Sequence, residues 1–419
     1  MNRPALRQLI TSSLFLICIC AATHADDWPQ YRGTIGDGKS GETIADSIST
    51  KQIWKASTPL GFSSFAIADG RAFTLMVDEA KKREECVAMN ADTGKILWRQ
   101  PLGSSEYDQG GGGAGAKGNK GGDGPRSTPS SDGKHVYVYD SYILLSCFDA
   151  KTGNVVWQHD IEKDFDGKNI KWLNATSPLL DGDVVYVAGG GADQTFLAFN
   201  KNTGDVIWKS GDETMTHATP HITHIDGKKQ IIFFMQSGLV SLDPTDGKEL
   251  WRRKFKFSVS TAASPITEGD QVYCSAGYGV GAGLFKVTGE PEAEKVWLKP
   301  NKLMNHWSTP LVKDGYIYGI FEFKKYGKAP LQCVEMATGE IKWSERGFGP
   351  GNCILVGDKL VVLSDAGELV IVEANPESYD ELSRTKVLEG KCWSTPAFSD
   401  GRVYVRSTTE GACVALNAS

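Results

Sequence analysis

The 419-residue chain carries 45 lysines and arginines against 51 aspartates and glutamates, a formal net charge of −6 at pH 7. An acidic protein is a poor ligand for a phosphate backbone, which argues against nucleic acid as a partner. Length alone would allow two or three domains, but closed β architectures exceed that size as one unit, so internal repeats must decide the domain count.

The first 25 residues have the pattern of a secretory signal peptide. Arg3 and Arg7 form a basic start, residues 14–22 form an apolar core, and Thr23-His24-Ala25 gives a small-x-small cleavage site. We therefore predict cleavage after Ala25 and a periplasmic or secreted location. The mature net charge becomes −8, because the removed segment holds two arginines and no acid. The apolar core is too short to cross a bilayer, so the protein is not predicted to be transmembrane.

Cysteine usage limits the possible cross-links and cofactors. Cys18 and Cys20 lie in the signal segment, and each follows isoleucine rather than the small residue that lipid attachment requires, so a lipoprotein is the less favoured alternative. Seven cysteines remain, so at least one is unpaired if no partner chain intervenes, and their scatter along the chain excludes a dense disulfide scaffold. The mature chain has no C-x-x-C motif, so a covalently attached haem is not expected.

A pattern of an apolar strand, a glycine turn and a strand ending in tryptophan recurs at roughly the 40–50-residue period of propeller blades. Examples are CVAMNADTGKILW and LSCFDAKTGNVVW. Six copies end at a tryptophan: Trp98, Trp157, Trp208, Trp251, Trp297 and Trp343. A seventh copy, ending at Leu388, is degenerate and lacks the tryptophan. We predict that these indoles fill the wedges between blades and do not bind a cofactor.

A second pattern alternates with the first: an extended segment, a glycine turn and a strand of apolar and aromatic residues, as in STPSSDGKHVYVY. Clear copies begin at Ser127, Thr176, Ser264, Ser308 and Ser394, and weaker copies begin at Ser64, Thr219 and Asn352. Asp-Gly and Thr-Gly between runs of period two are hairpin signals, because glycine accepts the positive φ of tight turns. The two patterns together predict eight four-stranded antiparallel meanders.

The two ends of the repeat array are complementary. The eighth copy stops after its third strand, at GACVALNAS, whereas the segment TKQIWKAST around Trp54 resembles a fourth strand without a blade. Pairing them would remove the exposed sheet edges between first and last blades. The predicted fold is therefore all-β: an eight-bladed β-propeller of four-stranded antiparallel blades over residues 50–419, with the last blade closed by the N-terminal strand. Residues 26–49 are predicted as an N-terminal extension.

Both halves of the repeat resemble those of the pyrroloquinoline-quinone-like (PQQ-like) propeller superfamily, which includes quinoprotein alcohol dehydrogenases and the outer-membrane assembly factor BamB. The segments DWPQYRGTIGDG, GPRSTPSSDG, SAGYGVGAGLFKV and MNHWSTPLVKDG further resemble a group of exported propeller proteins. The resemblance covers residues 26–419. It implies the fold more strongly than any activity, because the repeat consensus concerns turns and blade packing rather than chemistry.

The elaborate loops should all lie on one face of such a propeller, here called the looped face. It carries the connections between second and third strands and those between successive blades, and function concentrates on loops held by a rigid scaffold. We predict a binding site there, at the mouth of the central channel. The residues that begin the inner strands should rim this mouth: Arg126, Asn174, His217, His306, Trp307 and Trp393. A basic and aromatic rim would suit an anionic planar ligand.

The resemblance also implies what a quinoprotein dehydrogenase would need: a metal held by Glu, Asn or Asp, a carboxylate base, and often a Cys-Cys pair. None of the predicted rim residues is Asp or Glu, and the mature chain has no adjacent cysteines. We therefore assign no catalytic residue, cofactor or metal. The predicted function is a non-catalytic binding or assembly scaffold whose partner at the looped face is a protein, a glycan or a small molecule. The alternative is a PQQ-dependent alcohol or polyvinyl-alcohol-type dehydrogenase with PQQ and calcium.

Three further motifs have weaker functional interpretations. Residues 33–40, GTIGDGKS, match the phosphate-loop pattern but follow no apolar strand, so nucleotide binding is not expected. His217, His221 and His224 have ligand-like spacing, but on a strand the third would point away from the first two, which disfavours a metal site. The glycine-rich run 110–124, with two lysines, could cradle an anion but is more typical of a flexible loop.

Overall fold

The computed structural model describes residues 27–107, 124–257, 261–322 and 329–418, so the predicted signal peptide lies outside it. The described chain forms eight antiparallel sheets, seven of four strands and one with a fifth short strand added. The sheets are the blades of a propeller, and the only described α-helix is the single turn Ile161–Asp164. The predicted fold class is confirmed.

Each blade uses consecutive strands, numbered here from the inner to the outer edge. Blade 1 consists of Ala66–Ala68, Arg71–Asp78, Arg83–Asn90 and Ile96–Ser104, and blade 2 consists of Ser130–Ser131, His135–Tyr139, Leu144–Asp149 and Val155–Asp160. Blade 3 consists of Leu179–Asp181, Val184–Ala188, Phe196–Asn200 and Val206–Ser210, and blade 4 consists of His221–Ile225, Lys228–Met235, Gly238–Leu242 and Glu249–Lys254. Blade 5 consists of Ile266–Glu268, Gln271–Ala276, Gly281–Lys286 and Glu294–Pro300. Blade 6 consists of Leu311–Lys313, Tyr316–Ile320, Leu331–Glu335 and Glu340–Glu345. Blade 7 consists of Asn352–Val356, Lys359–Leu363, Glu368–Glu373 and Glu381–Lys386. Blade 8 consists of Ala397–Ser399, Arg402–Arg406, Glu410–Ala418 and the N-terminal strand Ile48–Ser57.

The two middle strands of each blade are buried on both faces. In blade 3, the strand Val184–Ala188 pairs with Phe196–Asn200 in a regular antiparallel register from Val184 opposite Asn200 to Ala188 opposite Phe196. Nearly every side chain in these two strands is buried, because each blade packs between two neighbours. Continuous apolar runs are typical of strands covered on both sides. The core is therefore a ring of interblade layers.

The N-terminal strand closes the ring. Ile48–Ser57 pairs antiparallel with Glu410–Ala418, and Trp54 lies opposite Cys413. The Trp54 side chain is 6% exposed and packs against Phe65 of blade 1 and Tyr404 of blade 8, with ring centroids 6.1 Å away in both cases. The predicted closing strand is confirmed.

Trp54 and five of the six repeated tryptophans bind the third turn of the following blade, whereas the Trp251 indole donates to Gln230 of its own blade. The Trp54 indole Nε1 donates to the Ala91 carbonyl at 2.7 Å, and its ring lies over Gly94. Gly94 has a φ of +67°, and a Cβ there would come within 2.7 Å of the indole, so the turn requires glycine. Five more indoles donate to the next blade in the same way: Trp98 to Ala150, Trp157 to Lys201, Trp208 to Pro244, Trp297 to Met336 and Trp343 to Asn375. The tryptophans therefore belong to the interblade packing, as predicted.

Residues 27–46, here called the plug segment, cross the channel at the face opposite the looped face. This second face carries the tight turns between first and second and between third and fourth strands, and we call it the tight-turn face. On one side, Ser131 N of blade 2 donates to Pro29 O at 2.7 Å. On the other side, Lys39–Ser40 pairs in parallel with Asn352–Val356 of blade 7. The predicted extension is thus part of the fold.

Arg32 anchors the plug segment inside the channel. Its guanidinium is 1% exposed and donates to the carbonyls of Thr309 and Pro310, both at 2.9 Å, and to that of Asp37 at 2.8 Å. Burial lowers the pKa of Arg32 below its ordinary value. Gln30 adds a reciprocal pair with blade 3, accepting from Leu180 N at 2.8 Å and donating to its carbonyl at 3.1 Å. Because these bonds hold the plug segment across the channel at the tight-turn face, the mouth of the channel is its end at the looped face.

Candidate functional site

Hydroxyl groups fix the segments that lead into the inner strands of blades 1 to 6 and blade 8. Backbone amides of one blade donate to Ser or Thr hydroxyls of the next at 2.9–3.0 Å: Ser64 to Thr128, Thr128 to Ser177, Ser177 to Thr219, Ser264 to Thr309 and Thr395 to Ser64. Alternate residues of an extended strand point to the same side. The residues two positions earlier therefore share one side of the mouth: Phe62, Arg126, Ala175, His217, Ala262, Trp307 and Trp393.

Three of these residues form an aromatic column. The rings of Trp307 and Trp393 stack with centroids 4.7 Å apart and planes 24° apart, and Phe62 stacks on Trp393 at 5.0 Å and 20°. Lys391 Nζ lies 4.4 Å from the Trp393 ring centroid, within the range of a cation–π contact. His306 extends the column with its ring 5.2 Å from Trp307, and it also meets Tyr278 at 5.0 Å. Trp393 therefore stacks with both of the other rings of the column.

A basic group lies on another arc of the mouth. Arg126 Nη1 donates to the Trp172 carbonyl at 3.4 Å, and the Trp172 ring lies 6.5 Å from His217. His217 Nε2 donates to the Leu173 carbonyl at 2.9 Å. Burial, reinforced by the positive charge of Arg126, lowers the pKa of His217 to about 3. His217 is therefore neutral at physiological pH and donates through the nitrogen nearest the Leu173 carbonyl.

The six predicted rim residues thus have different positions. Arg126, His217, Trp307 and Trp393 share the side described above, and His306 contacts them from one position earlier. Asn174 is fully buried, and its amide donates to the carbonyls of Tyr139, Asp140 and Thr176. Its side chain therefore holds the loop behind the mouth. Phe62 was not predicted from the sequence, because its segment is a weak copy of the repeat. Lys391 was not predicted either, because this residue lies just before the copy that begins at Ser394.

A buried acidic pair, Glu84 and Asp140, lies behind the mouth and was also not predicted from the sequence. Glu84 is 0% exposed and accepts hydrogen bonds from Tyr107 Oη and Ser141 Oγ, both at 2.6 Å. Burial and the neighbouring charge of Asp140 raise the pKa of Glu84 to about 7. Burial raises the pKa of Asp140 to about 6. The Ser141 carbonyl accepts from Asn174 N at 3.1 Å, so this acidic pair connects to the loop that carries Trp172.

The structure shows where two of the three weaker sequence motifs lie. Residues 33–40 lie in the plug segment, where Gly38 O accepts from Leu355 N. His217 lies at the mouth, whereas His221 and His224 lie in the inner strand of blade 4 beside a cavity at the opposite face. Most of the glycine-rich run falls outside the described residues. Within the described part of the chain, no group of three or more His, Cys, Asp or Glu side chains is arranged to hold a metal.

The seven cysteines of the mature chain are all buried with free thiols. Burial raises the pKa of the Cys353 and Cys392 thiols to about 12, so both are inert at neutral pH. Over the described residues, no helix has the length and apolar character needed to cross a bilayer.

Sequence comparisons give two kinds of relative. Residues 82–345, more than half of the chain, match the family model described as outer membrane protein assembly factor BamB. The chain is 27% identical to a quinoprotein ethanol dehydrogenase of Pseudomonas putida over 50% of its own length and 38% of that enzyme. It is 22% identical to BamB of Yersinia pestis over 59% of its length and 61% of that protein. The chain thus matches less than two thirds of the length of either curated relative.

Structural comparisons agree on the fold. BamB of Moraxella catarrhalis matches with a TM-score of 0.60 and 15% identity, over 88% of this chain and 98% of that one. The quinohemoprotein alcohol dehydrogenase of Comamonas testosteroni matches with a TM-score of 0.66 and 13% identity, over 93% and 80%. At these identities the likeness concerns the fold alone. On the family-model match, the chain belongs to the BamB family, within the superfamily of PQQ-like propellers that also includes the quinoprotein dehydrogenases.

Proposed function

We propose that this chain is an exported, non-catalytic scaffold that binds a protein partner at its looped face, with the channel mouth at the centre of the binding surface. The export signal predicted at residues 1–25 and the membership of a family named for outer membrane protein assembly support this proposal. A protein is preferred over a glycan or a small molecule because the mouth presents a half-buried aromatic column beside a basic group. Aromatic and arginine side chains are enriched at the centres of protein interfaces.

The observation that carries the proposal is the stacked aromatic column. Trp307 and Phe62 stack on Trp393 at 4.7 and 5.0 Å, which is the spacing of rings in direct contact. A flat cofactor could enter between these rings only by breaking a ring pair worth about 0.5–1.5 kcal/mol.

The residues at the mouth also do not fit a quinone with its calcium. Calcium takes six to eight oxygen ligands, mainly carboxylates and carbonyls. None of the seven residues on the shared side of the mouth is Asp or Glu, and burial lowers the pKa of His217 to about 3, so His217 is a weak base. The buried Glu84 and Asp140 lie behind the mouth and are engaged by hydroxyl and backbone donors. We therefore derive no step through such a cofactor.

Reconstitution tests this proposal against a quinoprotein dehydrogenase. The mature protein would be incubated with pyrroloquinoline quinone and calcium, and dye reduction would be measured with primary alcohols as substrates. We expect no turnover and no tight quinone binding. A Trp307→Ala variant, which opens the column, serves as the matched control, because it shows whether a quinone binds weakly by stacking once a slot exists. Stoichiometric quinone binding with alcohol-dependent dye reduction by the parent would overturn the proposal.

A further inference from the structure

A cavity of about 260 Å³ lies at the tight-turn face, between the plug segment and the inner strands of blades 3 to 6. Within the described chain, residues 28–46 hydrogen-bond to the inner strands of blades 1, 2, 3, 6 and 7 but not to those of blades 4 and 5. The cavity is the gap that this arrangement leaves. It lies at the opposite end of the channel from the mouth, so an inference about it is independent of the proposed function.

The cavity walls combine aliphatic and polar side chains. Four aliphatic residues come from both sides of the gap: Ile35, Ile222, Ile266 and Val312. Thr223, Thr267 and His221 provide polar groups between them. Ligand pockets for drug-sized molecules have volumes of roughly 300–1,000 Å³, so this cavity suits a smaller molecule.

The polar groups of the cavity have one hydrogen more than they can use among themselves. Thr267 Oγ1 lies 3.0 Å from His221 Nε2 and 2.9 Å from Thr223 Oγ1. Burial lowers the pKa of His221 to about 3, so its ring is neutral and carries one N–H. Two hydroxyls and one N–H supply three hydrogens for two contacts, whichever direction the bonds run. The third hydrogen calls for an acceptor, and His221 Nδ1 has no partner among the described groups.

The charged groups of the cavity separate into a closed pair and two open charges. Lys229 Nζ lies 2.7 and 2.5 Å from the two carboxylate oxygens of Asp181, so these charges satisfy each other. Lys39 makes no ion pair with a described carboxylate, and Asp37 accepts only from backbone, at 3.1 Å from Lys39 N. Burial raises the pKa of Asp37 above its ordinary value. One cation and one anion thus border the gap without a bonded ionic partner.

We infer that this cavity binds a small zwitterion with an aliphatic side chain, of the chemical class of the branched neutral α-amino acids. The carboxylate accepts from Lys39 Nζ and from the unused hydrogen of the Thr223–Thr267–His221 group. The ammonium group faces Asp37, and the side chain packs against the four aliphatic residues. A ligand with only a negative charge would face the like charge of Asp37, and a ligand with only a positive charge would face the like charge of Lys39.

Calorimetric titration of the mature protein with L-leucine tests this inference. Two analogues serve as matched probes: 4-methylpentanoate lacks the ammonium group, and L-leucinamide lacks the carboxylate. We expect L-leucine to bind and both analogues to bind at least tenfold more weakly. Absence of L-leucine binding, or equal binding of either analogue, would overturn the inference.

Two variants test the assigned contacts. Asp37→Asn keeps the side-chain shape and removes the open anion, and Lys39→Met removes the open cation. Each should weaken L-leucine binding at least tenfold, whereas Lys302→Met, at an exposed position outside the cavity, should leave it unchanged. Should Lys39→Met fail to fold, Asp37→Asn decides the outcome alone. Parental affinity in a folded Asp37→Asn variant would contradict the assignment.

Discussion

The two ends of the channel are held by different kinds of bond. At the tight-turn face, the plug segment and the interblade indoles donate to or accept from backbone groups, as Trp54 does with Ala91 and Arg32 with Thr309. At the looped face, part of the rim consists of side chains that stack on one another, as Trp307 and Trp393 do, and the backbone bonds of Arg126 and His217 run to a loop rather than to a blade turn. The indole bonds recur with the repeat and leave little room for variation. We propose on these grounds that the tight-turn half stabilises the ring and that the looped half serves recognition.

Removal of the closing indole should have the largest effect on stability. Truncation of a buried tryptophan costs about 3–5 kcal/mol, a large share of the roughly 5–15 kcal/mol that stabilises a domain. Trp54→Ala should therefore lower the melting temperature clearly. Trp393→Ala at the mouth is the matched comparison and should cost less, because its ring is only half-buried. If Trp54→Ala melts like the parent, the N-terminal strand is not what holds the ring closed.

The acidic pair behind the mouth should make stability depend on pH. The pKa of Glu84 is raised from 4.5 to about 7 by burial and by Asp140. Below pH 4.5 Glu84 is protonated in both the folded and unfolded chains, so it contributes no pH dependence there. Between pH 4.5 and 7 the unfolded chain releases this proton and the folded chain retains it, so stability falls by about 3 kcal/mol as pH rises.

Glu84→Gln should remove this loss and raise the unfolding free energy at pH 8 relative to the parent, measured by urea denaturation at pH 5 and pH 8. Glu106→Gln, an exposed neighbour paired with Lys82, is the control and should retain the parental pH dependence. An unchanged pH dependence in Glu84→Gln would show that Glu84 is ionised at neutral pH in the folded chain.

Arg126 should affect recognition more than stability. Its bond to the Trp172 carbonyl is 3.4 Å long, and its side chain is partly exposed. Arg126→Ala should therefore change the melting temperature little and weaken partner binding by about 1.5–3 kcal/mol, the range for a hydrogen bond to a charged group. Lysine should not restore binding fully, because it lacks the planar fork of the guanidinium. A large loss of melting temperature with intact binding would remove Arg126 from the site.

The sequence predicted the ring because its signals are local. Each Gly turn and each Trp lies within one repeat, so period and turn chemistry together specify the blades and the closing strand. The plug segment could not be predicted, because Gln30 and Arg32 bond to residues 150 and 277 positions away and no repeat marks them. Residues 110–123 and the signal peptide remain predictions.

At the mouth, the Ser-Thr-Pro motif led to the prediction of Arg126, Trp307 and Trp393. These residues lie shortly before the inner strands Ser130–Ser131, Leu311–Lys313 and Ala397–Ser399, and their role in binding stays a prediction. Phe62 escaped because blade 1 has Ser63-Ser64-Phe65 in place of that motif. Glu84 and Asp140 escaped for a different reason. Carboxylates are rarely buried, and nothing in the sequence shows that Ser141 and Tyr107 supply them with donors.

Site-specific photocrosslinking tests most directly whether the looped end is the recognition surface. A photoreactive amino acid would replace Tyr278, which is 48% exposed beside His306, and in a second variant Lys134, which is exposed in a turn of the tight-turn face. Irradiation of cells that make the protein naturally should give a discrete protein adduct from position 278 and none from position 134. Adducts from position 134 alone would contradict the account, because the partner would then bind the half of the ring assigned to stability.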